Sequence, residues 1–197
     1  PRHGRHAEQS RVYQRRNAFG KLDAFYWMVS AAFGVALTTF VGQNFGAQKY
    51  DRVRQGVRVS LGMIAGTTAL ISLLFCLFAQ PLLRIFNGDP EVLSIGSLIL
   101  WHMSPFYITF VFIEIFSAAI RGTGDSIKPM LLTAGGVCVL RVVWIFTVLP
   151  FHNTLETLLL SYPITWGLTS ALFIVYYLRN NWMRRQIQKY GYAPEVR

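Results

Sequence analysis

The chain has 197 residues, of which 53% are hydrophobic and 14% are charged, and its formal net charge at pH 7 is +10. The charges are concentrated in short segments between long apolar runs, which argues against a water-soluble domain and favours a membrane protein. The basic excess does not indicate a nucleic-acid partner, because no basic face with exposed aromatic residues remains once the apolar runs are placed in lipid.

The amino-terminal segment, residues 1–22, is polar and basic, with six Lys or Arg residues and a single Glu. A segment of low hydrophobicity and high net charge cannot bury enough apolar surface to fold alone. We therefore predict that it is disordered or loosely held, or that it is not native to this position.

Five apolar runs follow, and each is close to or above the roughly 20 residues that a helix needs to cross a bilayer. They predict an all-α integral membrane protein whose helical bundle covers residues 23–180, with a basic loop at residues 49–58 and a basic tail at residues 181–197. Pro105 and Pro163 lie inside spans, where a proline can bend a helix. The predicted transmembrane helices are residues 24–45, 59–83, 92–120, 130–151 and 158–178.

Basic residues are distributed unequally between the two sides of the predicted bundle. The loops after the second and fourth runs contain only Arg84. The loops after the first and third runs and the tail contain Lys49, Arg52, Arg54, Arg58, Arg121, Lys128, Arg179, Arg184, Arg185, Lys189 and Arg197. Because Lys and Arg in short loops remain cytoplasmic, we expect a multi-pass protein of the cell membrane with a cytoplasmic carboxy terminus. Residues 1–22 would then lie outside, so we expect at least one further span upstream.

Two glycines, Gly42 and Gly46, stand four residues apart at the end of the first run. On a helix this spacing places both on one face, where a neighbouring backbone can come close. In the alternative interpretation Gly46 only ends the helix. The sequence does not choose between the two.

Glu114 is the main candidate for chemistry, because a carboxylate inside a span costs about 2.5–3.5 kcal/mol on insertion scales. Such a group usually faces a partner or a wet cavity, and desolvation favours its protonated form. A site of this kind can exchange a proton or a sodium ion for a cationic solute. The alternative is a structural carboxylate that hydrogen-bonds to a neighbouring helix.

Arg141 is the one charge inside the fourth run and the second candidate for contact with the coupling cation or the solute. Counted from the cytoplasmic helix ends, Glu114 lies about 9 Å deep and Arg141 about 17 Å deep, at about 1.5 Å per residue. A direct ion pair between them is one hypothesis, and contact of Arg141 with a missing helix is the other. We expect His102 to be a packed core residue and Asp23 to mark a helix start.

No arrangement of residues is typical of bond-making chemistry, so we do not expect an enzyme. There is no zinc-ligand spacing, no nucleotide-binding glycine loop after a strand and no serine elbow. The segment RGTGD is glycine-rich but lacks the lysine of a phosphate-binding loop. We expect no cofactor and no resident metal; the coupling ion is sodium or a proton, and Glu114 is the candidate ligand for sodium.

Three motifs resemble those of a known family. They are FVGQNFGAQKYDRVR after the first run, LLRIFNGDPEV after the second and IRGTGDSIKPML between the third and fourth. In this order they resemble the carboxy-terminal half of the multidrug and toxic compound extrusion (MATE) transporters, over roughly residues 20–180. The resemblance implies twelve helices in two six-helix halves. The five runs look like helices eight to twelve, and the amino-terminal half and the seventh helix are missing.

The resemblance also implies roles for individual residues. Glu114 looks like the acidic residue that some members place in the tenth helix for cation coupling. Structural or gating roles at the cytoplasmic helix ends are expected for the motif residues Gly42, Gln43, Asn44, Gly46, Arg121, Gly122, Gly124 and Asp125.

The expected function is a cation-coupled antiporter that exports cationic amphipathic drugs or metabolites. Its partners would be membrane lipid, a small cationic solute and the missing amino-terminal half of the same protein. One alternative is a flippase for a lipid-linked oligosaccharide, which would need a larger cavity with several cationic residues. Another is a membrane fragment that has no activity alone.

Overall fold

The computed structural model describes residues 2–86, 88–148, 150, 155–179 and 182–192, with side chains from Gly20 onward except those of residues 155 and 156. These residues form helices joined by short turns, with no strand among them, which confirms the all-α class. The elements are α1 (Arg2–Gly46), α2 (Tyr50–Leu77), α3 (Ala79–Arg84), α4 (Pro90–Met103), a 3₁₀ turn (Ser104–Phe106), α5 (Tyr107–Gly122), α6 (Ile127–Thr133), a π turn (Ala134–Val139), α7 (Leu140–Thr147), α8 (Leu155–Arg179) and α9 (Trp182–Tyr190).

Five stretches of these helices are long and apolar enough to cross a membrane, which confirms the predicted number of spans. Two of the spans combine several elements: α4 with α5, and α6 with α7. The five stretches are Gly20–Gly46, Tyr50–Leu77, Pro90–Gly122, Ile127–Thr147 and Thr157–Arg179.

The first helix differs from its prediction at the amino-terminal end. Its backbone is helical from Arg2, so Asp23 lies inside α1 and the prediction that Asp23 starts a helix is wrong. The side chains of residues 1–19 lie outside the described ones. The prediction that residues 1–22 are a separate, loosely held segment therefore remains a prediction.

The basic segment at residues 49–58 is not a loop, which corrects the prediction. The turn between α1 and α2 contains only residues 47–49, and α2 starts at Tyr50. Gln48 makes the reversal in the left-handed region, with a φ of 58°, and the Lys49 amide donates to the Asn44 carbonyl at 2.8 Å. Long arginine side chains can extend along a helix toward water, so the charged first turns of α2 remain helical.

Proline and its neighbours determine the shape of the third span. The Asp89 side chain caps α4 by accepting a hydrogen bond from the Glu91 amide at 2.9 Å, and Pro90 occupies the first helical turn, where its missing N–H costs nothing. Pro105 interrupts the span, since α4 ends at Met103 and a 3₁₀ turn precedes α5. The α-helix is therefore interrupted at Pro105, whereas α8 continues as helix through Pro163.

Helices α1 and α5 pack side by side and run parallel. The Tyr26 hydroxyl donates to the Tyr107 carbonyl, and the Thr38 hydroxyl donates to the Ala118 carbonyl. These contacts join residues about 80 positions apart along the whole length of α5, so the two helices keep one register. The carboxy-terminal ends of α1 and α5 therefore lie at the same end of the bundle.

Helix α8 runs in the same direction as α5, and α2 runs in the opposite direction. The ring centres of Trp166 of α8 and Phe110 of α5 are 5.9 Å apart. Further along both helices, Tyr177 of α8 stacks on Phe116 of α5 with ring centres 4.4 Å apart. The Ser72 hydroxyl of α2 donates to the Ser104 carbonyl at 2.6 Å, which places the carboxy-terminal part of α2 beside the start of α5. The alternation expected for successive crossings is thus present.

Candidate functional site

The Glu114 carboxylate lies within the third span, at the interface between α1 and α5. The Arg121 guanidinium is 3.6 Å from its Oε1 atom, and the two side chains are 40% and 19% exposed, respectively. Arg121 also donates to the Ser117 hydroxyl at 3.0 Å. Glu114 is eight residues, or about 12 Å, from the end of α5, at about 1.5 Å per residue. The site therefore contains a carboxylate and a guanidinium group within one membrane span.

Glycines on both helices allow this close packing. A side chain at Gly34 would overlap the Glu114 carboxylate, so the absence of one creates the space that the carboxylate occupies. Near the helix ends, a Cβ at Gly122 would lie 2.7 Å from the Val41 Cβ and 2.8 Å from the Thr38 carbonyl oxygen. The bare backbone of α5 thus lies directly on α1, as small residues permit between transmembrane helices.

Arg141 does not pair with Glu114, so the hypothesis of a direct ion pair is wrong. Its guanidinium lies 3.9 Å from the centre of the Tyr162 ring and donates to the Thr165 hydroxyl at 3.3 Å. Both partners belong to α8. The fourth span packs against this helix, since Gly136 of the fourth span also lies against Thr169 of α8. A cation–π contact and one hydrogen bond hold Arg141 away from the α1–α5 interface.

Asp23 is a second carboxylate at the α1–α5 interface, and the sequence reasoning missed it as a site residue. It accepts a hydrogen bond from the Tyr107 hydroxyl at 2.6 Å and one from the Trp27 indole at 3.0 Å. Tyr107 is fully buried. Asp23 and Trp27 stand four residues apart, the helical spacing that brings two side chains together, and this is the sequence signal that was available.

Aromatic rings surround the Asp23 end of the interface. Tyr26 stacks on Tyr107 with ring centres 4.0 Å apart, and the Trp27 ring lies edge-on to Phe110 and Trp166 at 4.7 and 5.8 Å. Such rings present negative faces that attract organic cations. The α1–α5 interface therefore has an acid flanked by aromatic rings at one end and the Glu114–Arg121 pair further along.

The motif residues at the end of α1 shape a turn. A Cβ at Gly42 would lie 3.4 Å from the Gly122 carbonyl oxygen, whereas a Cβ at Gly46 would meet nothing within 4 Å. The Asn44 side chain donates to the Phe40 carbonyl of its own helix, and Gln43 is exposed. The close approach is thus at Gly42, and Gly46 is the last residue of α1; the gating role of Gln43 and Asn44 remains a prediction.

The loop after α5 packs against the carboxy-terminal helix α9. Gly124 has a φ of +90°, which L side chains rarely adopt, and a side chain there would overlap the Tyr190 hydroxyl. Asp125 forms a salt bridge with Lys128 at 2.6 Å and accepts a hydrogen bond from Gln186 at 3.2 Å. The tail predicted at residues 181–197 therefore begins with a packed helix, and residues 193–197 lie outside the described part of the chain.

Lys128 determines the protonation behaviour of Asp125. Burial alone would raise the pKa of Asp125, but hydrogen bonds from the side chain and backbone of Lys128, together with its positive charge, outweigh burial and lower the pKa. Asp125 therefore stays ionised over the physiological pH range, and the loop remains attached to α9.

Within the described residues no group of three His, Cys, Asp or Glu side chains is close enough together to hold a metal ion. His102 is exposed and its Nδ1 atom lies 2.8 Å from the Leu98 carbonyl oxygen, so the expectation of a packed core histidine is wrong.

The family profile of MatE matches residues 17–147 of this chain. The chain belongs to the MatE family. The matched region contains both carboxylates of the α1–α5 interface, Asp23 and Glu114, as well as the loop that follows α5. The resemblance of the three motifs to this family is therefore confirmed.

Named relatives of this MatE chain include proteins of several bacteria. A probable multidrug resistance protein, YoeA, of Bacillus subtilis is 26% identical over 84% of this chain and 36% of its own length. The probable multidrug resistance protein NorM of Thermotoga maritima is 23% identical over 84% and 36%, and a FAD transporter of Shewanella oneidensis is 29% identical over 75% and 33%. The chain spans about a third of the length of these curated relatives.

Proposed function

We propose that this chain supplies part of the carboxy-terminal half of a secondary antiporter that exports cationic amphipathic compounds in exchange for sodium ions or protons. The observation that carries the proposal is the placement of the Glu114 carboxylate within a span, opposite Gly34 and 3.6 Å from Arg121. Family membership and the multidrug-resistance names of relatives support transport rather than catalysis.

In the absence of the coupling ion, the positive charge of Arg121 takes the place of that ion beside Glu114. Its guanidinium neutralises Glu114 across 3.6 Å, which is longer than a well-formed charge-assisted hydrogen bond of about 2.7–2.9 Å. Because a carboxylate in a span needs a counter-charge or a proton, a sodium ion or proton that binds Glu114 removes the reason for Arg121 to remain there. Binding and release of Arg121 then give the α1–α5 interface two states that the coupling ion selects.

The solute site that we propose is the Asp23 end of the same interface. The half-buried Asp23 carboxylate and Trp27 ring offer negative charge and an aromatic surface to an organic cation, and the buried, stacked Tyr26–Tyr107 pair supports them. One relative is named a FAD transporter, so family membership alone does not restrict the solute to cations. The acidic and aromatic character of this interface is what favours a cation.

The flippase alternative receives no support from the site. It called for a larger cavity with several cationic residues, whereas the α1–α5 interface contains the carboxylates of Asp23 and Glu114, and Arg141 contacts Tyr162 and Thr165 on α8. The expectation that the 197-residue chain has no activity alone remains open, and reconstitution of the chain in liposomes should give no ion-driven dye efflux.

The basic residues support a cytoplasmic location for the ends of α1, α5 and α8 and for α9. Phe45, at the end of α1, lies 6.3 Å from Tyr190 of α9, and Gln186 of α9 contacts Asp125 after α5. The three ends with most of the Lys and Arg residues therefore meet at one end of the bundle, and by the positive-inside rule that end faces the cytoplasm of the cell membrane.

Efflux of a fluorescent cationic dye, measured in cells that express a transporter of full family length containing these residues, tests the proposal. Glu114→Gln removes the charge without changing the shape of the side chain, and we expect it to abolish efflux driven by a sodium or proton gradient. Glu91→Gln, at the first turn of α4, is the matched control and should keep efflux. Normal efflux by the Glu114→Gln variant, at equal amounts in the membrane, would rule out coupling through this residue.

A further inference from the structure

A pocket opens between α2, α5, α8 and α9, at the bundle end where α1, α5 and α8 terminate. Its volume is about 460 Å³, which is within the range of about 300–1,000 Å³ for sites that hold small ligands. It is separate from the α1–α5 interface, since neither Glu114 nor Asp23 lines it.

The inner wall of the pocket is apolar and aromatic. Leu61 of α2 faces Phe112 and Phe116 of α5, and Ile174 and Tyr177 of α8 complete the wall. Tyr177 stacks on the buried Phe116. This mainly apolar wall suits a hydrocarbon chain.

The outer part of the pocket is strongly basic. Arg54, Arg58 and Arg184 line it, all three are exposed, and no carboxylate is among the described residues that form its wall. Arg54 and Arg58 stand one turn apart on α2, so their guanidinium groups share one side of the opening. Guanidinium groups form bidentate hydrogen bonds with the oxygens of a phosphate, so a phosphodiester is a suitable ligand for this pair.

The apolar part and the basic part of the pocket are separated by about the length of one phospholipid headgroup. From Arg54 to Leu61 is seven residues of α2, or about 10 Å at about 1.5 Å per residue. Trp182, which also lines the pocket, packs 5.3 Å from Tyr177. Trp and Tyr are the residues enriched at headgroup depth, so the basic opening lies where lipid phosphates lie.

We propose that this pocket binds an anionic phospholipid of the inner leaflet, with its phosphate on Arg58, Arg184 and Arg54 and an acyl chain along Leu61 and Phe112. Basic pockets between transmembrane helices on the cytoplasmic side recognise such lipids. Because the lipid contacts α2, α5, α8 and α9 at once, it also holds α9 against the bundle.

Native mass spectrometry of the purified chain in detergent, with phosphatidylglycerol or phosphatidylcholine added at equal concentration, tests the site. The wild-type chain should retain phosphatidylglycerol and lose phosphatidylcholine. The double variant R58A/R184A should bind phosphatidylglycerol about 30-fold more weakly, given the usual contribution of each basic residue near an anionic headgroup.

The matched control removes the same charge from outside the pocket. In R52A/R185A one arginine is taken from the α1–α2 groove, where Arg52 lies, and the other from the exposed position next to Arg184. This variant should bind phosphatidylglycerol like the wild type. Equal weakening in both double variants would mean general attraction of a basic surface for anionic lipid, and it would overturn the proposal.

A third variant keeps every charge and fills the apolar part. Leu61→Trp should lower the binding of long-chain phosphatidylglycerol, whereas Leu74→Trp, on an exposed part of α2, should not. If Leu61→Trp binds the lipid unchanged, no acyl chain enters the pocket and the proposal is wrong. Unchanged far-UV circular dichroism verifies that each variant is folded.

Discussion

Replacing Gly122 with alanine tests whether the α1–α5 contact holds the bundle together. The added Cβ would lie 2.7 Å from the Val41 Cβ and 2.8 Å from the Thr38 carbonyl oxygen, whereas carbon atoms in favourable contact are about 3.5–4.0 Å apart. Val41 is fully buried and the carbonyl is backbone, so neither can move away alone. The two helices must separate locally by about 1 Å, which forfeits a quarter to a half of each affected contact.

The expected cost of Gly122→Ala is about 1–3 kcal/mol in the free energy of unfolding, the usual range for overpacking a tight site. Gly62→Ala is the control, because a Cβ at Gly62 meets nothing within 4 Å. Alanine is the better helix former by about 0.5–1 kcal/mol inside a helix, so this variant should be slightly more stable than the wild type. The same chemical change should therefore have opposite signs at the two positions.

Unfolding in mixed micelles with increasing mole fraction of dodecyl sulfate, followed by far-UV circular dichroism, gives these free energies. Gly46→Ala adds a second control at a helix end, since Gly46 is the last residue of α1 just as Gly122 is the last residue of α5. If Gly122→Ala is as stable as Gly62→Ala, the close approach of α5 to α1 is not tight, and the reasoning about the Glu114 site fails with it.

Two further predictions concern hydrogen bonds and pH. Tyr107→Phe removes a donor to the Asp23 carboxylate and should cost about 1.5–3 kcal/mol in the same unfolding assay, whereas Tyr26→Phe, which removes a bond to a neutral carbonyl, should cost about 0.5–1.5 kcal/mol; equal costs would contradict the stronger hydrogen bond at Asp23. Asp125→Asn should make the chain less stable than the wild type near neutral pH. Because the folded pKa of Asp125 is lowered, this difference should be complete above the ordinary pKa of about 3.9 and disappear as the pH falls through the lowered value. A difference that is independent of pH would contradict the salt bridge with Lys128.

The five spans were predictable because each depends on one property, an uncharged run of sufficient length. The helix ends were less predictable, because the sequence shows where charged residues begin but does not show where the helix ends. Residues from Tyr50 to Arg58 are helical although four of them are charged, because their side chains are exposed on one turn after another and need no loop to reach water.

The partner of Glu114 was missed for a similar reason. Arg121 follows seven residues later, two turns along the same helix, and its long side chain extends back to the carboxylate. Arg141 was the more obvious charge because it lies inside a run, but the sequence contains no signal that the fourth span packs on α8. Asp23 was missed because the polar residues before it suggested a helix start, whereas the helix continues through them.

The packing of α9 was also present in the sequence as a pattern. Trp182, Met183, Gln186 and Ile187 recur at helical spacing and are the buried residues of α9. Their apolar face contacts the bundle, while Arg184 and Arg185 remain exposed. The basic composition of the tail concealed this amphipathic helix.

Infrared difference spectroscopy of the chain in lipid tests the central claim most directly, namely that Glu114 takes up a cation or a proton inside the span. Lowering the pH should add a protonated-carboxyl band of Glu114 to the wild-type difference spectrum, and this band should be absent from Glu114→Gln and present in Glu91→Gln. If the Glu114→Gln spectrum contains the same band as the wild type, Glu114 does not exchange its counter-ion and the proposed coupling site is wrong.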